Sequence, residues 1–506
     1  MKRALFSLYD TTNAARYAQD LVELGWTIIA SKETVEILSK KQIPVTEIAD
    51  FTSVKENYGF PPTLHPKVEY CLTAGDANER IDLVYVINYP LSIGNDIGGR
   101  TLLALAAKGN RIPVISIEDM EVVVNEIKQY GELSKSLHTN LLDKTNALIS
   151  WHYFNLIKEK QKYDAVFGEH TYELMNGENP YQIPSSYFSS KTDDGLSLSS
   201  FNQVSGECPC FTNLADCDCI VHSLCLSSEA FRKQYGKTPY ICIAAKHGNS
   251  CGFAIDWDSP AKALDKALFG NALAIWGGEV ITNFEIDEEL SNKMFKSSER
   301  EKLLGNAAWM LDIILAPHFT KEAIDILGKR KQRKVLENPF LSSPFLSPSL
   351  WSYRFVRGGF LRQPPLNYIL NLKEAEFSGC RSTENDIDSL IIAWVTAFSS
   401  NHGGNEVAIA KDASLISCGG GPSTVDAAQI AVFKANNLKK DLKNSVFAAD
   451  AFFPFTDAPE LLINSGVRAG IVPAGGKEIE NIKNFLKKNN VSMYYLPEQY
   501  RGFCRH

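Results

Sequence analysis

The chain has 506 residues, more than one hydrophobic core ordinarily serves, so two or three domains are expected. Its composition, 44% hydrophobic and 22% charged, is that of a globular protein, and a formal net charge of −7 argues against nucleic acid or an anionic membrane as partner. No apolar run suited to a signal peptide follows Met1-Lys2-Arg3, no stretch approaches ~20 apolar residues, and the eleven cysteines read as reduced thiols of a cytoplasmic protein.

Ala14, Ala18, Leu21 and Val22 fall on one face of a helix that Gly25 ends, and residues 26–30 read as a buried strand. Further strands are expected at 83–87 and 114–117, with a helix over 101–108 opened by Gly98-Gly99. This alternation predicts a mostly parallel sheet covered by helices. The serine-rich stretch 183–200 is loop chemistry, and a domain boundary is expected slightly earlier, near Phe167. Residues 240–245 form an apolar strand running into Lys246-His247-Gly248-Asn249, and Ser259-Pro260 caps and opens a helix. The basic run from Lys329 to Lys334 reads as a solvated helix end and turn, and no repeat of solenoid length is present.

Lys246 and His247 at a strand end, followed by glycine, supply the parts of an acid-base site. An imidazole accepts a proton near neutral pH, and an ammonium steadies an oxyanion or a moving proton. Alone, such a pair is more often structural. The cysteines at 208, 210, 217 and 219 have Cys-x-Cys spacing rather than the Cys-x-x-Cys usual for zinc, so they read as buried thiols and no metal ligand is assigned.

Motifs around the pair resemble, in order, those of the bifunctional purine-biosynthesis family that joins AICAR transformylase to IMP cyclohydrolase. They are Gly177-Glu178-Asn179-Pro180-Tyr181-Gln182, Asn213-Leu214-Ala215-Asp216, Lys246-His247-Gly248-Asn249, Gly277-Gly278, Ile313-Ile314-Leu315-Ala316-Pro317, the turn from Arg357 to Gln363, Asp450-Ala451-Phe452-Phe453-Pro454-Phe455 and the terminal segment from Arg501. The resemblance implies an α/β protein of two domains. Residues 1–167 would be a cyclohydrolase-like open parallel sheet of the methylglyoxal-synthase type, and 168–506 a larger, cytidine-deaminase-like formyltransferase domain. It further implies His247 as general base, Lys246 as proton carrier and Asn405 as the group facing the formyl carbon. Asn213, Asn179, Gly177, Asp450, Phe452 and Arg501 would contact an amine acceptor, and Pro317, Gly277 and Gly278 the donor, 10-formyltetrahydrofolate. No metal is required by the resemblance, and a homodimer is implied.

The chain departs from the family pattern at identifiable places. In the N-terminal domain, Tyr9 and Thr11 stand for a serine and a lysine, Lys32-Glu33 replace a glycine pair in a phosphate-binding loop, and Pro62 replaces a lysine; Asp96 and Lys108 match. Cyclohydrolase action is therefore expected to be absent or feeble, leaving this domain to folding and dimerisation. In the C-terminal domain, phosphate-binding arginines of the family fall at Met175-Asn176, Thr424 and Thr456. Each arginine–phosphate contact contributes roughly 1.5–3 kcal/mol, so loss of one or two lowers nucleotide affinity by about one to four orders of magnitude. The expectation is a formyltransferase acting on AICAR or a related amine. The full bifunctional enzyme and a catalytically silent nucleotide- or folate-binding homologue are the alternatives.

Overall fold

The computed structural model describes residues 2–54, 61–76, 79–158, 162–190, 192–349, 351–379, 383–502 and 504. It divides into two compact units, Met1–Phe167 and Gly168–His506.

Unit 1 is a five-stranded, wholly parallel sheet in the order Val45–Glu47, Thr27–Ala30, Arg3–Leu8, Leu83–Ile87, Ile112–Val114. Successive side chains of a strand leave on opposite faces, and both faces here are apolar. Ala4, Phe6, Leu83 and Tyr85 belong to one core, and Leu5, Val84 and Val86 to the other. The helix Ala14–Glu23 lays Ala14, Tyr17, Ala18 and Leu21 onto the first of these and stops before Gly25, which sits at φ 80°. The strand expected at 114–117 lies two to three residues earlier. Pro113 is accommodated because this strand is at the sheet edge, and Ser116 caps a helix that starts at Ile117. The helix expected at 101–108 begins at Ile97, with Gly98 and Gly99 inside its first turn and Asp96 capping it.

Unit 2 is built on a twelve-stranded mixed sheet that consists of two similar halves. The first half runs helix Phe211–Tyr235, hairpin Tyr240–Lys246/Asn249–Asp256, helix Pro260–Leu268, then strands Gly278–Thr282, Leu311–Ala316 and Lys334–Glu337. The second repeats the plan with helix Glu384–Ser399, hairpin Asn405–Lys411/Ser414–Gly421, helix Thr424–Asn437, and strands Val446–Ala449, Ala469–Pro473 and Ser492–Leu496. Short antiparallel strands, Asn202–Ser205 and Glu376–Ser378, close the two edges. The halves meet through one antiparallel pairing, Asn249–Asp256 against Ser414–Gly421.

The two long helices share one core, in which Leu224, Phe231, Trp394 and Val395 are fully covered, and Ser223 Oγ donates to Ser399 Oγ at 2.9 Å. Each such apolar side chain contributes about 1.5–3 kcal/mol by leaving water.

Two loop readings need correction. The stretch 183–200 contains a strand, Ser186–Ser189, and a 3-10 turn, Leu198–Ser200. The basic run is not wholly solvated: Arg333 is 3% exposed and donates to the carbonyls of Leu311, Leu327 and Trp309. Lys334 opens a strand.

Candidate active site

The Lys246-His247-Gly248-Asn249 segment is a hairpin turn. Lys246 pairs with Asn249, and the two residues between them take left-handed backbone, His247 at φ 53° and Gly248 at φ 66°. Such two-residue turns match the twist of the strands they join. A non-glycine residue at φ > 0 is uncommon, though histidine tolerates it better than most. The imidazole of His247 is left exposed at the tip. Lys246 Nζ donates to the Gly277 carbonyl at 2.5 Å. Gly277 itself sits at φ 68°, and a Cβ there would lie 2.9 Å from that ammonium. Glycine at 277 therefore keeps the lysine in place. Asn249 donates to the His247 carbonyl at 3.0 Å and accepts from the Asn401 amide at 2.7 Å, tying the turn to the other half of the sheet.

Sheet register decides what else is near. Ala254 pairs with Ser414, so the antiparallel strands carry the turn at 247–248 to the Gly419–Gly421 end. There Gly421 pairs with Asn405, whose Nδ2 donates to the Pro422 carbonyl at 3.2 Å. Asp450 follows the adjoining strand; its Oδ1 accepts from the Glu406 amide at 2.9 Å and its carbonyl from Gly502 at 3.1 Å. Phe452 lies close by, packed on Gly475 and Gly476, with the Arg501 guanidinium 5.8 Å from its ring centre. Asn213 accepts from the Cys210 amide at 3.1 Å as part of a capping box, one turn before Asp216. Asn179 is bound to Gln182, as is Gly177, and Phe211 N donates to the Asn176 carbonyl at 3.0 Å, so this loop backs onto the same helix start. Gly278 opens the strand beside Lys246.

Pro317 is the exception. It is buried just past Leu311–Ala316, whose Leu315 aligns with Ile281 and Ile243, so within this chain it lies toward the opposite end of the strands from Lys246. Phe503, Arg505 and His506 of the terminal motif lie outside the described residues.

Two buried carboxyls stand close to these groups. Glu279, 2% exposed, is paired in register with Ala245, directly before Lys246. Burial pushes its acid strength well below that of an ordinary carboxyl, and the hydrogen-bonded Asp216 adds to the effect, while the Lys246 charge opposes it. Asp450 is pushed up to about 8, chiefly by burial. A cavity of about 160 Å³ is lined by Lys246, Asn249, Cys251, His402, Cys418 and Lys434.

The model of the AICARFT/IMPCHase bienzyme family matches residues 106–434, more than half of the chain. The chain belongs to that family. Relatives named bifunctional purine biosynthesis protein PurH align almost end to end. Those of Persephonella marina and Petrotoga mobilis are 28% and 29% identical, each over 98% of both chains. A solved structure described as "Crystal structure of ForH" aligns with 31% of this chain and 97% of its own at 26% identity, with a TM-score of 0.28.

Membership of the AICARFT/IMPCHase family gives the departures in unit 1 a location. Ser7, Tyr9, Ser31, Lys32, Glu33, Pro62, Asp96 and the glycines at 98 and 99 line one cavity of about 1040 Å³. Asp96 Oδ1 accepts from the Gly99 amide at 2.8 Å, so one of the two matching side chains serves a helix cap. Glu279, Glu406 and Lys434 carry no motif that marks them in the sequence. A lone acid opening an otherwise apolar strand, as in Glu279-Val280-Ile281 and Glu406-Val407-Ala408, is the signal that could have found the two acids.

Proposed function

We propose that this chain is a 10-formyltetrahydrofolate-dependent N-formyltransferase of the AICAR-transformylase type, acting on AICAR or a related amine with weakened phosphate recognition. The observation that supports the reading most is the tether of Lys246 to Gly277 at a hairpin tip that shares a sheet end with Asn405. His247 would take a proton from the attacking amine, Lys246 would deliver one to the folate leaving nitrogen, and Asn405 would orient the formyl group. Asp216 and Glu279, sharing a proton behind Lys246, would set the charge that the ammonium feels. The cavity of about 160 Å³ beside Lys246 is smaller than the roughly 300–1,000 Å³ usual for ligand sites, which fits a folate site completed by a second copy in a homodimer.

The test is to offer 10-formyltetrahydrofolate with AICAR, then with a panel of aromatic amines, and to follow free tetrahydrofolate. His247→Ala is expected to abolish release; undiminished release removes His247 from the mechanism. The large cavity of unit 1 favours a second reading, in which the chain keeps both activities of the bienzyme. Lost lysines and a blocked phosphate loop argue against it. Ring closure of formyl-AICAR to IMP by the purified protein distinguishes the two, and robust turnover establishes the second.

A further inference from the structure

The cysteines at 208, 210, 217 and 219 are not gathered into a cluster. Cys208 Sγ donates to the Glu173 carbonyl, Cys210 pairs with Thr212, and Cys217 and Cys219 are buried. Instead, His402, Glu406 and Cys418 bring a nitrogen, an oxygen and a sulfur donor within 4.8 Å of one another. His402 Nδ1 is 2.8 Å from Glu406 Oε2, Cys418 Sγ is 3.5 Å from the same oxygen, and Sγ to Nδ1 is 3.9 Å. Tetrahedral zinc, with bonds of about 2.0–2.3 Å, requires donor separations of about 3.3–3.6 Å. The nitrogen and oxygen must part by about half an ångström and the sulfur and nitrogen close by about 0.3 Å to reach that geometry.

The fold itself sets these donors side by side. Glu406 stands opposite Gly420 and Cys418 opposite Ala408, which makes Glu406 and Cys418 diagonal neighbours on one sheet face. His402 comes from the loop four residues before Glu406. A Cβ at 420 would collide with Glu406 Oε1 and with His402 Cβ, so glycine there leaves the donors their room.

Charge points the same way. Glu406 and Asp450 are each 1% exposed and joined through the Glu406 amide. Among the described residues no lysine or arginine forms an ion pair with either, and Asp450 Oδ2 has no hydrogen-bond partner. A buried glutamate whose one basic partner is an imidazole is short of positive charge. Lys434 does not fill this role by direct pairing, since its Nζ donates to the Cys418 carbonyl at 2.9 Å.

We propose that His402 Nδ1, Glu406 Oε2 and Cys418 Sγ bind one zinc ion, with the fourth position reached from the cavity that His402 and Cys418 share with Lys246 and Asn249. Mixed nitrogen, oxygen and sulfur donors suit zinc and not magnesium or calcium, which take oxygen ligands. On binding, the Cys418 S–H bond is replaced by S–Zn and one proton leaves to solvent. Carboxylate and thiolate together match the two positive charges of the ion, so the occupied site is neutral overall. The site stands apart from the formyl-transfer reading and does not depend on it.

The full chain, kept reduced and stripped with a chelator, is titrated with zinc alone against a chromogenic competitor. Cobalt is then substituted to look for a thiolate-to-cobalt charge-transfer band. One metal per chain and a clear band are expected. Cys418→Ser and His402→Gln should each weaken binding by more than the roughly 10–100-fold that loss of an outer partner causes. The Cys208→Ser/Cys210→Ser double variant should bind as the parent does. Absence of stoichiometric binding, a parent chain without the band, or binding lost only in the double variant each overturns the proposal. The band is read on the unsubstituted chain, so the outcome does not rest on how well a Cys418 variant folds.

Discussion

Replacing Gly277 by alanine tests whether the placement of Lys246 governs activity. The backbone at 277 is left-handed, at φ 68°, which alanine adopts at a cost of about 1–2 kcal/mol. The new methyl would also stand 2.9 Å from Lys246 Nζ and displace it from the Gly277 carbonyl. That charge-assisted hydrogen bond contributes about 1.5–3 kcal/mol. Gly305→Ala is the matched control, because Gly305 sits at φ 72° with nothing within 4 Å of the added atom. Both variants should lower the thermal midpoint of unit 2, by roughly 2–4 °C per kcal/mol. Only Gly277→Ala should also lower kcat/KM for formyl transfer, by roughly 10- to 100-fold at about 1.4 kcal/mol per decade. A Gly277→Ala enzyme with the midpoint of the control and the full parental rate would show that the ammonium does not need this tether.

Other outcomes follow from buried or missing charge. In the folded chain Glu279 holds a proton that the unfolded chain has released above about pH 4.5, so stability falls as pH rises from there through the raised value of the folded pair. Glu279→Gln should flatten the urea midpoint against pH, and an unchanged slope would deny the raised value. Arg333→Met strands three carbonyls and should destabilise unit 2 by about 3 kcal/mol or more in denaturant titration; a loss below about 1 kcal/mol would mean those groups find other partners. Thr456→Arg, supplying a cation where the resemblance to the family implies one, should lower KM for AICAR about tenfold with kcat little changed, as steady-state kinetics would report. No change in KM would place the acceptor's phosphate elsewhere.

Much of the architecture is legible in the sequence because period and punctuation carry it. The strand at 83–87 and the helix from Ala14 follow directly from apolar spacing, and Ser259-Pro260 does begin a helix. The strand near 114 lies earlier than its apolar run suggests because Pro113 reads as a strand breaker, whereas an edge position tolerates it. The duplication of unit 2 is invisible in the sequence because the halves share a plan of elements and few residues: Tyr240–Lys246 and Asn405–Lys411 have little in common beyond a continuously buried middle and a closing Ala-Lys. The candidate site is legible where family motifs mark it, at Lys246, His247 and Asn405. Its buried acids are not, because Glu279 and Glu406 acquire their meaning from neighbours distant in sequence, Asp216 and Asp450.

The duplicated plan also bears on which end of the sheet would carry the proposed chemistry. The central strands of the two halves are antiparallel, so each end combines the hairpin turn of one half with the open strand ends of the other. Both turns contain two left-handed residues, His247-Gly248 and Asp412-Ala413. At the second turn the polar groups are engaged structurally. Lys411 pairs with Asp441 at 2.7 Å, Asn385 donates to Asp412, Lys266 to the Asp412 carbonyl, and the Ala413 amide to Ser389. At the first, the His247 imidazole makes no hydrogen bond among the described residues, Asp450 keeps one unpartnered oxygen, and Lys246 is held by a single carbonyl. A buried oxygen left without a partner, as at Asp450, is destabilising unless a ligand engages it, and the exposed imidazole of His247 is free to approach one. The pseudo-symmetric scaffold thus offers two equivalent places, and among the described residues the one bearing Lys246 has the less engaged side chains, which is what the proposed formyl transfer would need.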